Sequence, residues 1–411
     1  MIKEFFLMND FDLKNKTVAI RVDLNTDFIE SRAIKNERFE RHAKTIKELI
    51  ENNAKIIIIA HQGRKGDPDF FPLEQHAKIL SEEVGYEIKF VNDLIGEEAK
   101  KAIENLKNGE AILLDNVRKL DDEDKNKSID EHTNSSLVKF LKQYIDFYIL
   151  DAFSVAHRAH SSIVGFAKVK PMIAGRVMES EIESVKNALK SLGLNVWVVG
   201  GAKIDDIINV LESVFENKPE SIDRVLTGGL LANLFLFVNG YEIGSKSLEI
   251  LKSKFQQELF ERAKNLLNKY KKEIILPIDV AIEENGKRKE VKIENIPKDA
   301  LILDIGRKTI KTYKDILNGA RSVIVKGPIG MFERKGFEKG TKEILKHIAN
   351  LDAFSLIGGG DTSVAIKELK IKGKFGYISV GGGALLTFLS GKPMPGIEAL
   401  KVSYSFFSQK L

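Results

Sequence analysis

The chain has 411 residues, 43% of them apolar, and no cysteine. Its length exceeds what a single core organises and predicts two domains of roughly 200 residues each; the missing thiols exclude disulfides, thiolate metal sites and cysteine nucleophiles together. The formal charge of +5 does not mark a nucleic-acid protein, because residues 1–175 hold 27 Lys+Arg against 30 Asp+Glu and the remainder 37 against 29.

No apolar run approaches the ~18 residues of a membrane span, and the N-terminus lacks the layout of a signal peptide. A soluble, cytoplasmic protein with no membrane and no nucleic-acid partner is expected. In the first half, VAIRV (18–22), KIIIIA (55–60), AILL (111–114) and FYIL (147–150) alternate with helical periodicity, as in NERFERHAKTIKELIEN, where Phe39, Ala43, Ile46 and Ile50 share one face. Continuous Ile/Val/Leu runs between helices predict a parallel sheet covered on both faces, an α/β doubly wound arrangement. Ligands of such sheets bind beyond the carboxyl ends of the strands. There the chain places Asp23 and Asn25, then HQGR (61–64), DNVR (115–118) and DAFSVAHRAHSS (151–162). His61, Arg64, Arg118, His157, Arg158 and His160 should converge, with Arg38 joining from the start of its helix, to hold a small and highly anionic substrate. Arg41 reads as a helix salt bridge, His76, His132 and His347 as structural or surface residues, and DDED (121–124) as a solvated loop.

MESEIESVKNALKSL (178–192) contains no Pro or Gly and reads as one helix connecting two domains, with acids early and lysines late. Glycine is distributed unevenly about it: seven of 31 fall in residues 1–175. In the second half NVWVV leads to GGAK (200–203), SIDRVL to TGGLLA (227–232), RSVIV to KGPIG (326–330), FSLI to GGGDT (358–362) and GYISV to GGGA (381–384). Five glycine-bearing strand ends would line a crevice with backbone donors and little side-chain bulk, which suits a nucleotide. LIGGGDTSVAI (356–366) has the layout of strand, loop and helix N-terminus that receives phosphate, and Asp361 or Thr362 can cap the helix or hold the accompanying divalent cation. There is no P-loop and no complete GxGxxG. A nucleotide domain opposed to an anion domain points to phosphoryl transfer, which depends on positioning and charge neutralisation.

These segments resemble phosphoglycerate kinases, in the family's order and over nearly the whole chain: RVDLN, HQGR, LLDNVR, DAFSVAHRAHSS, GGAKIDD, GYEIGSKSL, LPIDV, LDIG, KGPIGMFE, GGGDT and GGGALLTFLSGKPMPGIEAL. The resemblance implies two Rossmann-like domains joined by a helix, with a cleft between them: 1–177 plus 397–411 for phosphoglycerate, 178–192 the helix, 193–396 for the nucleotide. It implies reversible transfer from 1,3-bisphosphoglycerate to Mg-ADP, giving 3-phosphoglycerate and ATP. It assigns Asp23, Leu24, Asn25, Arg38, His61, Gln62, Gly63, Arg64, Arg118, His157 and Arg158 to the phosphoglycerate. Gly201, Lys203, Gly228, Gly229, Lys326, Glu333, Gly358, Gly359, Gly360, Asp361 and Thr362 fall to the nucleotide, with Asp361 on Mg2+ and Arg38, Lys203 and Lys326 catalytic.

Four departures suggest an archaeal-type branch. The second lysine of GGAKxxDK is Ile207, WNGP is VKGP with Lys326 in place of asparagine, DIGP ends in Arg307, and GGGMAYTFL survives only loosely as TGGLLANLF. Lys326 is expected to supply the charge lost at Ile207, both lying in loops at the nucleotide crevice. A nicotinamide-dependent dehydrogenase shares the architecture but lacks its fingerprint here; a non-catalytic nucleotide-responsive protein would not need Arg38, Lys203 and Asp361 together.

Overall fold

The computed structural model describes residues 4–190 and 193–410. It divides into two compact units, Met1–Ile182 with Pro393–Leu411, and Glu183–Lys392. The helix expected at 178–192 runs from Arg176 to Leu189, so the division falls inside it; positions 191 and 192 of that expectation lie outside the described residues.

The first unit is built on a seven-stranded sheet in the order Phe6–Leu7, Met172–Ala174, Phe147–Leu150, Thr17–Arg21, Lys55–Ile59, Ala111–Leu114, Ile88–Val91. Its pairings are all parallel, and Ile56 to Ile59 are fully buried, as a sheet covered on both faces requires. From Thr17–Arg21 the chain winds towards Lys55–Ile59, whereas from Phe147–Leu150 it winds the other way. The crevice that opens where winding reverses therefore lies beyond Arg21 and Leu150. Helix Glu37–Glu51 begins there because Asn36 caps it, accepting the Arg38 N–H at 3.0 Å. Phe39, Ala43, Ile46 and Ile50 form its buried stripe. The C-terminal helix Pro395–Phe407 belongs to this unit. Its Gly396 N–H reaches the Ala156 carbonyl at 2.8 Å, Ser403 accepts the Met172 N–H at 2.8 Å, and Tyr404 packs edge-on against Phe6.

The second unit has a six-stranded parallel sheet in the order Ile274–Ile275, Arg224–Thr227, Leu194–Val199, Ala320–Lys326, Phe354–Gly358, Tyr377–Ser379. All five glycine-bearing strand ends are thus neighbours, and winding reverses between Val199 and Lys326. A second sheet was not foreseen: Asp279–Glu284, Lys287–Lys292 and Ile302–Ile305 form an antiparallel trio. Its hairpin turns on Asn285 and Gly286, both at positive φ, the Asn-Gly signal of a two-residue turn. The lysine-rich KRKEVK strand hid it, being an edge strand with no apolar run.

Candidate active site

In the first unit Asp23 organises the crevice. Buried beyond its strand, it accepts from the Asn25 N–H at 3.0 Å and from the Ser154 hydroxyl, and pairs with Arg38 Nη1 at 3.2 Å. Burial opposes its charge, but Arg38, His61 and these hydrogen bonds outweigh it and hold the carboxyl far below the usual range. Arg38 Nη1 also donates to the Asn25 carbonyl at 3.0 Å, which leaves its other nitrogens without a partner among the described residues. Asn25 in turn accepts the Gly63 N–H at 2.8 Å, tying the first strand end to HQGR. Arg118 closes the ring by donating to the Gly63 carbonyl.

His61 is buried and accepts at Nδ1 from Arg21 Nη2, 3.1 Å away, so its proton resides on Nε2. Burial first, then the charges of Arg21, Arg118 and Arg38, push its pKa well down against the pull of Asp23. The cations also oppose one another. Burial, Arg21 and Arg158 lower Arg118 to about 10; burial and Arg64 lower Arg158. Such a cluster gains most from a dianion with oxygens for several forks.

Several residues that form this pocket were not picked out from sequence. Arg21, 1% exposed, donates from Nε to Ser162 Oγ at 2.9 Å. Glu123 corrects the reading of DDED as a solvated loop: it is fully buried and accepts from Ser161 Oγ at 2.6 Å and from the Ser162 N–H at 2.9 Å. Beneath Asp23, its own N–H donates to His42 Nε2 at 3.2 Å, and His42 Nδ1 meets Asp151 Oδ2 at 2.8 Å. None of these lay in a pattern of exposed strand-end charge, because each props up a neighbour.

Two of the expected contact residues are buried. The Gln62 amide is fully buried and committed to both backbone polar groups of Thr26, at 2.9 Å each; it shapes the loop. Leu24 is fully buried, so only its backbone can reach a ligand. Arg41 pairs with Glu37 at 3.0 Å, as expected. His76 is fully buried, bonded to Gln62 and stacked near Phe39; burial lowers its pKa from 6.5 to about 4. Burial, with Arg118, lowers His160 to about 3.

These depressed histidines carry a pH signature. Between pH 6.5 and 4 the unfolded chain binds a proton at position 76 that the folded chain refuses, so stability falls as pH drops through that window. Asp304, which burial raises to about 6, works in the opposite sense above its ordinary 3.8. Denaturant unfolding at pH 7, 6 and 5 is expected to show His76→Gln flattening the wild-type slope by about 1 kcal/mol per pH unit, more between pH 6 and 5 than between 7 and 6. Parallel slopes would refute the assignment.

In the second unit the strand-end loops are knitted to one another. Gly200 N–H donates to the Lys326 carbonyl at 2.9 Å and Gly201 N–H to Pro328 at 2.7 Å. A Cβ at Gly327 would lie 2.2 Å from the Gly200 oxygen, so GGAK and KGPIG interlock only through glycine. Gly327 N–H also donates to Thr362 Oγ1 at 3.0 Å, and that hydroxyl donates to the Gly358 carbonyl at 3.1 Å. The Thr362 side chain is therefore buried and spent on joining two loops. Gly358 is held close by Leu385.

The glycine loop at 358–362 follows. Gly359, at φ +98, leads into helix Gly360–Glu368, which has no side-chain cap, and a Cβ at Gly360 would meet nothing within 4 Å. Its first N–H groups are thus open to an anion. Over this loop lies Lys326: a Cβ at Gly359 would sit 2.7 Å from its Nζ. Burial and the charge of Lys203 lower the Lys326 pKa, against Asp361 and Asp206. Lys203 itself is exposed at the start of helix Ile204–Asn217. The expectation that positions 207 and 326 both lie in loops is corrected: Ile207 is buried within that helix, and Lys326 ends a strand. The charge comes from another element. Arg307 pairs with Glu290 at 2.9 Å, and Arg288 links Glu290 to Asp304.

Beside the loops is a cavity of about 300 Å³, walled mainly by apolar groups and lined by Gly201, Gly229, Leu230, Pro328, Glu333 and Asp361 among others. Asp361 is exposed in the first helical turn. No group of three or more His, Asp or Glu suited to a metal occurs among the described residues. One carboxylate fits Mg2+, which keeps waters and shares its ligands with a nucleotide's phosphates.

A crevice dense in arginine and histidine on one parallel sheet and a glycine-built cavity on the other fit a two-domain α/β phosphotransferase. The chain belongs to the phosphoglycerate kinase family, whose model matches residues 8–392. It is 40% identical to the phosphoglycerate kinase of Pyrococcus abyssi, over 98% of this chain and 99% of that one. Against that of Methanococcus maripaludis the identity is 43%, over 97% and 99%. The crystal structure of the Pyrococcus horikoshii enzyme superposes with a TM-score of 0.89 at 39% identity, covering 98% of this chain and 100% of that chain. The reaction is the reversible phosphoryl transfer between 1,3-bisphosphoglycerate and Mg-ADP that yields 3-phosphoglycerate and ATP, a glycolytic kinase step with a carboxyl group as acceptor. No helix among the described residues is long and apolar enough to cross a membrane.

Proposed function

We propose that the two sites divide the reaction by charge. Asp23, Asn25, His61, Gly63, Arg64, Arg118, His157 and Arg158 hold the phosphoglycerate, its phosphate on the arginines. Glu333 takes the ribose, the Gly201, Gly228 and Gly229 loops border the base, and the open N–H groups at Gly359 and Gly360 take the phosphates. The crowding of Arg21, Arg38 and Arg118 around His61, with Arg158 beside Arg118 and both of these last two lowered by burial and by neighbouring arginines, carries this reading.

Mg2+, held by Asp361 together with the nucleotide, supplies charge neutralisation of the phosphates when bound. Arg38 keeps free guanidinium nitrogens beside Asn25, and Lys203 and Lys326 bring two cations to the phosphate loop. The three neutralise the transferring group during in-line displacement, after the domains close around both substrates and exclude water. The acceptor carboxylate is already ionised, so no general base is needed. Burial first, then Lys203, lowers the Lys326 pKa, and a polyphosphate beside it would favour the charged form. The enzyme works in the cytoplasm on small molecules alone, with neither membrane nor nucleic acid as partner.

Arg158→Ala tests the division. It is expected to raise KM for 3-phosphoglycerate about 10- to 100-fold, the loss of one charge-assisted contact, with KM for ATP little moved. An equal rise in both would contradict the assignment.

A further inference from the structure

Helix Gly229–Val238 reads GLLANLFLFV, and its Asn233 stands in an otherwise apolar run. Leu231, Ala232, Leu234, Phe235 and Leu236 are all buried there. Asn233 is buried too, 3% exposed, and lines the nucleotide cavity. Its carboxamide has no hydrogen-bond partner among the described residues. The amide opens on the cavity, where only water or a ligand can bond it, and asparagine is a poor helix former; nothing in the fold uses it. By contrast Asp304, which lines the same cavity, is saturated by Arg288 and the Gly340 N–H.

We infer that Asn233 reads the substituted edge of the purine base and is the residue that makes the cavity select for a 6-substituted purine. A carboxamide offers an acceptor beside a donor, the complement of adenine's exocyclic amine next to a ring nitrogen. Rotated by half a turn it matches guanine's carbonyl next to its ring N–H, so both purines are accepted. The apolar walls at Leu230, Ile250, Ile302 and Met331 supply the faces of the slot. The inference rests on this cavity being the nucleotide site.

Calorimetric titration of Mg-ATP and of Mg-purine riboside triphosphate, which lacks the 6-amino group, tests it in the absence of phosphoglycerate. The wild-type chain is expected to bind ATP about 10-fold more tightly than the analogue, the worth of one buried hydrogen bond. Asn233→Leu should reduce that ratio to within about two-fold by weakening ATP alone, and Asn233→Asp, which only accepts, should weaken ATP and GTP alike, because it sets an acceptor against adenine's ring nitrogen or guanine's carbonyl. Equal affinity of the wild-type chain for ATP and the analogue overturns the inference without any variant, as does undiminished discrimination in a folded Asn233→Leu. Discrimination without turnover would fault the kinase reading and leave this one standing; binding of neither nucleotide would fault the site itself.

Discussion

Arg38→Met is expected to lower kcat about 10³-fold, the scale of losing a guanidinium that stabilises a transferring phosphoryl group, and to lower the melting temperature as well, because buried Asp23 loses its ion-pair partner. Arg38 is 30% exposed and anchored by Nη1 alone, to Asp23 and to the Asn25 carbonyl. Its remaining nitrogens make no internal bond that folding needs. The same change removes the first favourable influence on Asp23, whose carboxyl should then titrate higher. Both ground-state substrates keep their principal contacts, so the loss should fall on kcat more than on either KM. Arg38→Lys should recover only part, since a point charge cannot bond Asp23 and Asn25 while presenting a second fork. Steady-state kinetics with thermal melts decide it; a proportionate rise in KM for 3-phosphoglycerate at unchanged kcat would make Arg38 a binding residue only.

Lys326→Asn restores the residue that the family motif led one to expect, yet about a 10²-fold loss of kcat is predicted. Nζ lies against Gly359 at the mouth of the phosphate loop, and position 207, where a second lysine would stand, holds a buried isoleucine. With Lys326 neutralised, Lys203 remains as the lysine charge at that loop. The depressed pKa of Lys326 adds a second readout: the wild-type chain should lose activity on the alkaline side earlier than an ordinary lysine titration allows, and the variant should lack that limb. Turnover near wild type in Lys326→Asn would show that the substitution at 207 needed no compensation.

The parallel sheets were legible because their strands are continuous apolar runs, and the order of the strand ends located both crevices. Side chains that end in space beyond a strand, such as Arg38, Arg118 and Lys203, could be found for the same reason. What escaped were groups that act through others. Arg21 sits inside a strand, Glu123 in a run of acids whose neighbours Asp121 and Asp124 are exposed, and burial, the property that distinguishes Glu123, is set by Ser161 and Ser162 far along the chain. Gln62 and Thr362 differ in another way: each occupies a motif position, and its polar group turns inward to brace a loop. The antiparallel sheet was missed because KRKEVK lacks the alternation that a half-buried strand shows, although Asn285-Gly286 announced its turn.

The most direct measurement supplies the purified chain with 1,3-bisphosphoglycerate and Mg-ADP and follows ATP. ATP formation at the expense of the acyl phosphate, abolished by omitting Mg2+ and reduced strongly in Arg38→Met, is the predicted result. Folded protein that binds Mg-ADP and 3-phosphoglycerate yet forms no ATP would contradict the account.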